Sequence, residues 1–142
     1  MSNIAWLDIT VPDAAPVRDF YAGVLGWEPE AVDMGGYADF NMVDPATGTP
    51  TAGVCHARGP NEGIPPVWIV YFVVEDLDAS LAECAAKGGE VVKGPMPAGS
   101  SRIAFIKDPA GAPCAIVEPG PDAEEEDGAP EAEVIGEDGT EA

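Results

Sequence analysis

Asp-Pro-Ala-Thr-Gly-Thr-Pro-Thr-Ala, from Asp44 to Ala52, returns in shortened form as Asp-Pro-Ala-Gly-Ala-Pro-Cys-Ala from Asp108 to Ala115. The echo belongs to a longer register. Asp13 matches Asp76 at an offset of 63 residues, Asp44 matches Asp108 at 64, and Ala52 matches Ala115 at 63. An offset that holds over most of the chain marks an internal repeat of two units, and this limits the possible folds more than any other feature of the sequence.

The two units parse alike. Residues 4 to 11 place Ile4, Trp6, Asp8 and Thr10 on one face and Ala5, Leu7, Ile9 and Val11 on the other, which predicts a strand with different surroundings on its two sides. Asp13 then offers its carboxylate to the first turn of a helix, where Pro16 is tolerated because early N–H groups lack intrahelical partners. Val17, Phe20, Tyr21 and Val24 form the apolar stripe of that helix, and Gly26 ends it. The second unit runs from a strand at 67–74 through Asp76 to a helix carrying Leu77, Leu81, Cys84 and Ala85, then Gly88 and Gly89. Three strands are expected after each helix, near 28–33, 37–43 and 51–56, then near 90–93, 101–107 and 113–118. The Asp-Pro segments are turns between the last two strands of each unit. The expected fold is α+β: two tandem βαβββ modules.

With 142 residues, 46% of them apolar, the chain suits one domain over 1–120, its modules spanning about 3–57 and 66–119. Residues 121–142 hold 10 acidic and no basic side chains, half of a net charge of −20, and are expected to be a disordered acidic tail. The remaining net charge of −10 disfavours nucleic acid and anionic membrane, since binding either depends on Lys and Arg. The apolar run from Val67 to Val74 is far shorter than the roughly 18 to 20 residues of a membrane span, and no basic-then-apolar leader opens the chain. Three cysteines without Cys-x-x-Cys spacing suggest neither a disulfide framework nor a zinc site, and a reducing cytoplasm is expected.

A strand, then VPDAAPVRDFYAGVLGWEPE, then a strand ending in Asp-Pro-x-Gly before a final strand, all duplicated, resembles the vicinal oxygen chelate superfamily. That group includes glyoxalase I, extradiol dioxygenases, and fosfomycin- and bleomycin-resistance proteins. The resemblance covers about residues 3–119 and implies a cup-shaped sheet of eight strands, with dimers common. In metal-dependent members a divalent ion sits at four cup-lining positions, in the first and last strand of each module. Carried over, these positions fall on Trp6, Ile69, Ala52 and Ala115, and none has the imidazole nitrogen or carboxylate oxygen such an ion needs. The expectation is a cup without metal or other cofactor, a small-molecule ligand, a homodimer, and no nucleic-acid or membrane partner.

By alternation the inward face carries Trp6 and Asp8 in the first module and Ile69 and Tyr71 in the second; His56 shares a face with Ala52 and Val54 if its strand stays regular. Arg102 is a partner for Asp8, a lone cation near the cup, or a surface charge. The candidate ligand-binding set is therefore Trp6, Asp8, His56, Ile69, Tyr71 and Arg102, with Asp8, His56 and Tyr71 as candidate catalytic groups. Such a cup fits binding or sequestration of a small hydrophobic or aromatic molecule, as bleomycin-resistance proteins do. The alternative is a lyase, isomerase or oxygenase in which Asp8 or His56 moves a proton, or Asp8, His56 and Glu118 act as displaced metal ligands. Trp68, one residue off the inward register, is expected against a helix or a second subunit, and Cys55 and Cys114 as small core fillers.

Overall fold

In the computed structural model, which describes residues 4–121, both copies of the repeat take the same path. The expected acidic tail, from residue 122 onward, lies outside the described residues. The first module is β1 (Ile4–Val11), α1 (Ala14–Leu25), β2 (Glu28–Asp33), β3 (Ala38–Asp44) and β4 (Thr49–His56). The second is β5 (Trp68–Val73), α2 (Leu77–Ala86), β6 (Glu90–Ala98), β7 (Ser101–Lys107) and β8 (Pro113–Glu118). Each helix starts on the aspartate the repeat marked: Asp13 accepts from the Ala15 N–H at 3.4 Å and Asp76 from the Ala79 N–H at 3.1 Å. Gly26, at φ 76°, ends α1 in the left-handed region that a side chain would disfavour.

The eight strands form one sheet in the order β2-β3-β4-β1-β5-β8-β7-β6. β1 lies beside β4 in parallel and β5 in antiparallel, so the β1–β5 pair is the seam between modules. One face of the sheet is covered by helices. Ile9, Val11, Phe40, Met42 and Val54 pack there under α1, while Ala104 and Ile116 pack with Leu77 of α2. Trp68 belongs to this face, its indole N–H donating to the Tyr21 hydroxyl at 3.0 Å. The opposite face is the inside of the cup, where Trp6, Ile69, Tyr71, Ile103, Phe105 and Ala115 are buried together.

The modules differ in the register of two strand pairs, of which β3–β4 and its counterpart bear on the cup. In the second, β7 and β8 pair without interruption, Phe105 opposite Ala115. In the first, Met42 faces Ala52 but Val43 faces Pro50, leaving Thr51 as a bulge in β4. Asp8 then pairs with Gly53, whereas its repeat mate Tyr71 pairs with Ala115. Because side chains alternate along a strand, this single residue turns Ala52 and Val54 toward the helix face. The sequence offset of 63 placed Ala52 in the cup; the bulge corrects that position to Gly53. A second departure is β6, expected to end near 93 but continuing to Ala98. Its register slips between Lys93 and Met96, which carries the strand past the Gly94-Pro95 pair.

Between the modules, residues 57–67 make a strap with one 3₁₀ turn, Gly59–Asn61. At one end the Arg58 guanidinium lies 4.1 Å over the Tyr37 ring. At the other, the Lys93 ammonium of β6 donates to the Glu62 carbonyl, and Ile64 packs among Trp6, Ile69 and Tyr71. The strap therefore adds Ile64 to the cup-face cluster and is tied to β6. Among the described residues no helix is long and apolar enough to cross a membrane.

Candidate functional site

Asp8 stands at the seam. Alternation along β1 sends its side chain to the cup face beside Trp6, with Gly53 across β4 and Ile69 across β5. Only 1% of its surface is exposed, and the Tyr71 hydroxyl lies 3.1 Å from each carboxylate oxygen. Burial pushes the Asp8 carboxyl up to about 8. Tyr71 opposes this by donating to the anion, the nearby Asp39 carboxylate adds to it, and the Trp6 N–H opposes it. The outcome is a carboxylic acid that keeps its proton at neutral pH and can donate it in a hydrogen bond.

The Trp6 indole lies across the open backbone of Gly53. A Cβ there would stand 3.1 Å from the Asp8 Cβ and 3.5 Å from the indole nitrogen. The indole Nε1 is buried and makes no hydrogen bond of normal geometry among the described residues, although it faces the Asp8 carboxyl closely enough to favour the anion. Trp6 and Tyr71 also pair directly across the seam, and the Phe105 ring meets Tyr71 edge-on at 5.9 Å. The floor is thus aromatic and aliphatic, with two polar groups at its centre.

Beside this floor the first module is polar. Asp39, 5% exposed, accepts the His56 backbone N–H at 2.8 Å and lies 3.3 Å from His56 Nδ1. Burial raises the Asp39 carboxyl, and its contacts with His56 and the Cys55 thiol pull the other way. His56 Nε2 lies 3.9 Å from Asp13, and its ring meets Tyr37 edge-on at 5.6 Å. The imidazole therefore closes the end of β4, and what couples it to Asp8 is Asp39.

The structure brings Trp6, Asp8, Ile69 and Tyr71 together on one face and places His56, Arg102 and Glu118 elsewhere, His56 because it pairs with Val11 and so follows Ala52 and Val54 to the helix side. Arg102 is on the helix side, 3.0 Å from Asp78 and 3.5 Å from Glu118, so Tyr71 and not Arg102 is the partner of Asp8. Glu118 accepts the Leu77 N–H at 2.9 Å at the start of α2, away from Asp8 and His56. The displaced-ligand set is therefore not assembled, and among the described residues no group of three or more His, Cys, Asp or Glu is arranged to hold a metal. With Gly53 in place of Ala52, the four positions at which metal-dependent relatives hold their ion are Trp6, Gly53, Ile69 and Ala115, which supply no ligating atom. Asp39 escaped the sequence reading although its signal was present, since Asp39 and Asn41 alternate with Phe40 and Met42 as Asp8 does with its neighbours. Asn61 carried no such signal, because the strap has no period.

The family model described as Glyoxalase/Bleomycin resistance protein/Dioxygenase superfamily matches residues 3–116. The anthracycline biosynthesis protein DnrV of Streptomyces peucetius is 36% identical over 128 residues, covering 79% of this chain and 45% of that protein. The putative glyoxylase CFP32 of Mycobacterium bovis is 29% identical over 109 residues, covering 75% and 42%. The chain thus spans less than half the length of these curated relatives. Among solved structures, the hypothetical protein BH1468 of Bacillus halodurans superposes with a TM-score of 0.52 at 13% identity, over 82% of this chain and 94% of that one, which shows a common fold. On this evidence, and by its duplicated βαβββ cup, the chain belongs to the glyoxalase, bleomycin-resistance and dioxygenase superfamily.

Proposed function

We propose that the cup binds a small, flat aromatic molecule through stacking and hydrogen bonds, without an ion. The observation that carries this reading is Asp8: a carboxyl buried on an apolar, aromatic floor, held by the Tyr71 hydroxyl, overlooked by the Trp6 N–H and pushed by burial toward its protonated form. An acid in that state is a donor for a carbonyl or hydroxyl oxygen, and the rings around it suit a planar partner. The name of the DnrV relative, anthracycline biosynthesis protein, supports a polycyclic aromatic class. Because this chain spans only 45% of that protein, the relative's activity as a whole does not carry over.

The test is a thermal-shift screen of the full chain against fused-ring phenols, ketones and quinones. A compound present at about 100 times its Kd raises stability by about 2.7 kcal/mol. A panel that leaves the melting temperature unmoved would sink the reading.

A second reading rests on the raised carboxyl of Asp8, which suits a general acid or base working near neutrality. It differs in one outcome: Asp8→Asn would abolish turnover of a bound compound while leaving its binding measurable.

A further inference from the structure

Asn61 is fully enclosed, yet neither Oδ1 nor Nδ2 of its amide has a hydrogen-bond partner among the described residues. Unpaired buried amides are rare, because each forfeits its bonds to water with nothing in return. The position of Asn61 says where the missing partner belongs. It lies in the strap between Arg58, stacked on Tyr37, and Ile64, packed on Trp6 and Tyr71. The Asn61 backbone carbonyl accepts the Ile64 N–H at 3.4 Å, and Ile64 belongs to the cup-floor cluster, which puts Asn61 on the cup side of the strap. Trp6 Nε1, the other buried side-chain nitrogen without a hydrogen-bond partner among the described residues, belongs to the cup floor.

We infer that Asn61 determines specificity: its amide, presented by the strap, binds a hydroxyl or carbonyl oxygen on the aromatic ligand, opposite the Trp6 N–H. This rests on the cup-binding reading and adds to it a requirement for oxygen on the ring. The amide supplies one acceptor and two donors, so a hydroxyl, which both donates and accepts, satisfies more of it than a hydrocarbon edge can.

The experiment compares two probes of nearly equal shape, α-naphthol and naphthalene, by calorimetric titration of the wild-type chain, Asn61→Leu and Asn61→Ala. Wild type should prefer naphthol by about tenfold, the value of one hydrogen bond in a desolvated site. Both variants should lose that preference while holding naphthalene within about twofold of wild type. Asn61→Leu, which removes the unpaired amide at similar volume, should melt at or above the wild-type temperature. A preference that survives in either folded variant overturns the assignment of Asn61. So does equal binding of the two probes by wild type, which would mean that solvent satisfies the amide, or a lower melting temperature for Asn61→Leu with the preference intact. If wild type binds neither probe nor any compound of the wider screen, the cup-binding reading fails, and this inference with it.

Discussion

Asp8 sets a pH dependence whose sign follows from its surroundings. In the unfolded chain it titrates at the ordinary value of 3.8, while in the cup it holds its proton to about 8. Below the lower value both states are protonated. Between the two, only the unfolded chain releases its proton, so stability falls as pH rises, and above about 8 the loss is complete. The groups facing Asp8 are Tyr71, Trp6 and Asp39, and Asp39, itself raised by burial, acts in the same direction. Asp8→Asn should therefore melt increasingly above wild type as pH is raised from about 4 to about 8. Parallel melting profiles in calorimetry would contradict this. Tyr71→Phe removes the hydroxyl that faces both carboxylate oxygens, and should cost about 1–3 kcal/mol in urea unfolding. In an Asp8→Asn background that cost should change, because the two groups touch. Asp8 was legible because a charged residue between Leu7 and Ile9 breaks an apolar pattern. Its partner was not, since pairing across the seam depends on the order of the modules in the sheet.

At the scale of elements, nearly every strand and both helices could be read from alternation, aspartate caps and glycine stops. What escaped was register. The bulge at Thr51 is invisible in a repeat whose offset drifts by only one residue, yet it decides that Gly53 and not Ala52 meets Asp8. Gly53→Ala should destabilise the protein by about 1–3 kcal/mol and perturb Trp6 fluorescence, because its new methyl would stand 3.1 Å from a Cβ fixed to the neighbouring backbone. The strap also escaped, since it has no hydrophobic period and is held by contacts distant in sequence. Lys93 ties it to β6 through the Glu62 carbonyl. Lys93→Ala should raise amide hydrogen exchange over residues 57–67 by about tenfold while the central strands keep their protection. Equal protection in the two proteins would show that Lys93 does not hold the strap down.

The molecule as a whole carries a net charge of −20, half of it in residues 121–142. Such self-repulsion weakens the compact state and is screened by salt. Melting temperature should therefore rise between about 0.05 and 0.5 M NaCl, where the screening length falls well below 10 Å. Removing the acidic segment should flatten that rise, and an identical salt response in the shortened chain would exclude any share for it.

The central place of β1 bears on how the chain is made. It leaves the ribosome well before one of its two sheet partners, β5, which starts only at Trp68. Until then the early module presents an open strand edge, a template for mispairing with other nascent chains, and Asp8 on that edge is hydrated and ionised. A charge so placed is a known deterrent to such pairing. Docking of the later module buries it and favours its protonated form, so a charge useful during synthesis becomes a polar group at the centre of the finished floor.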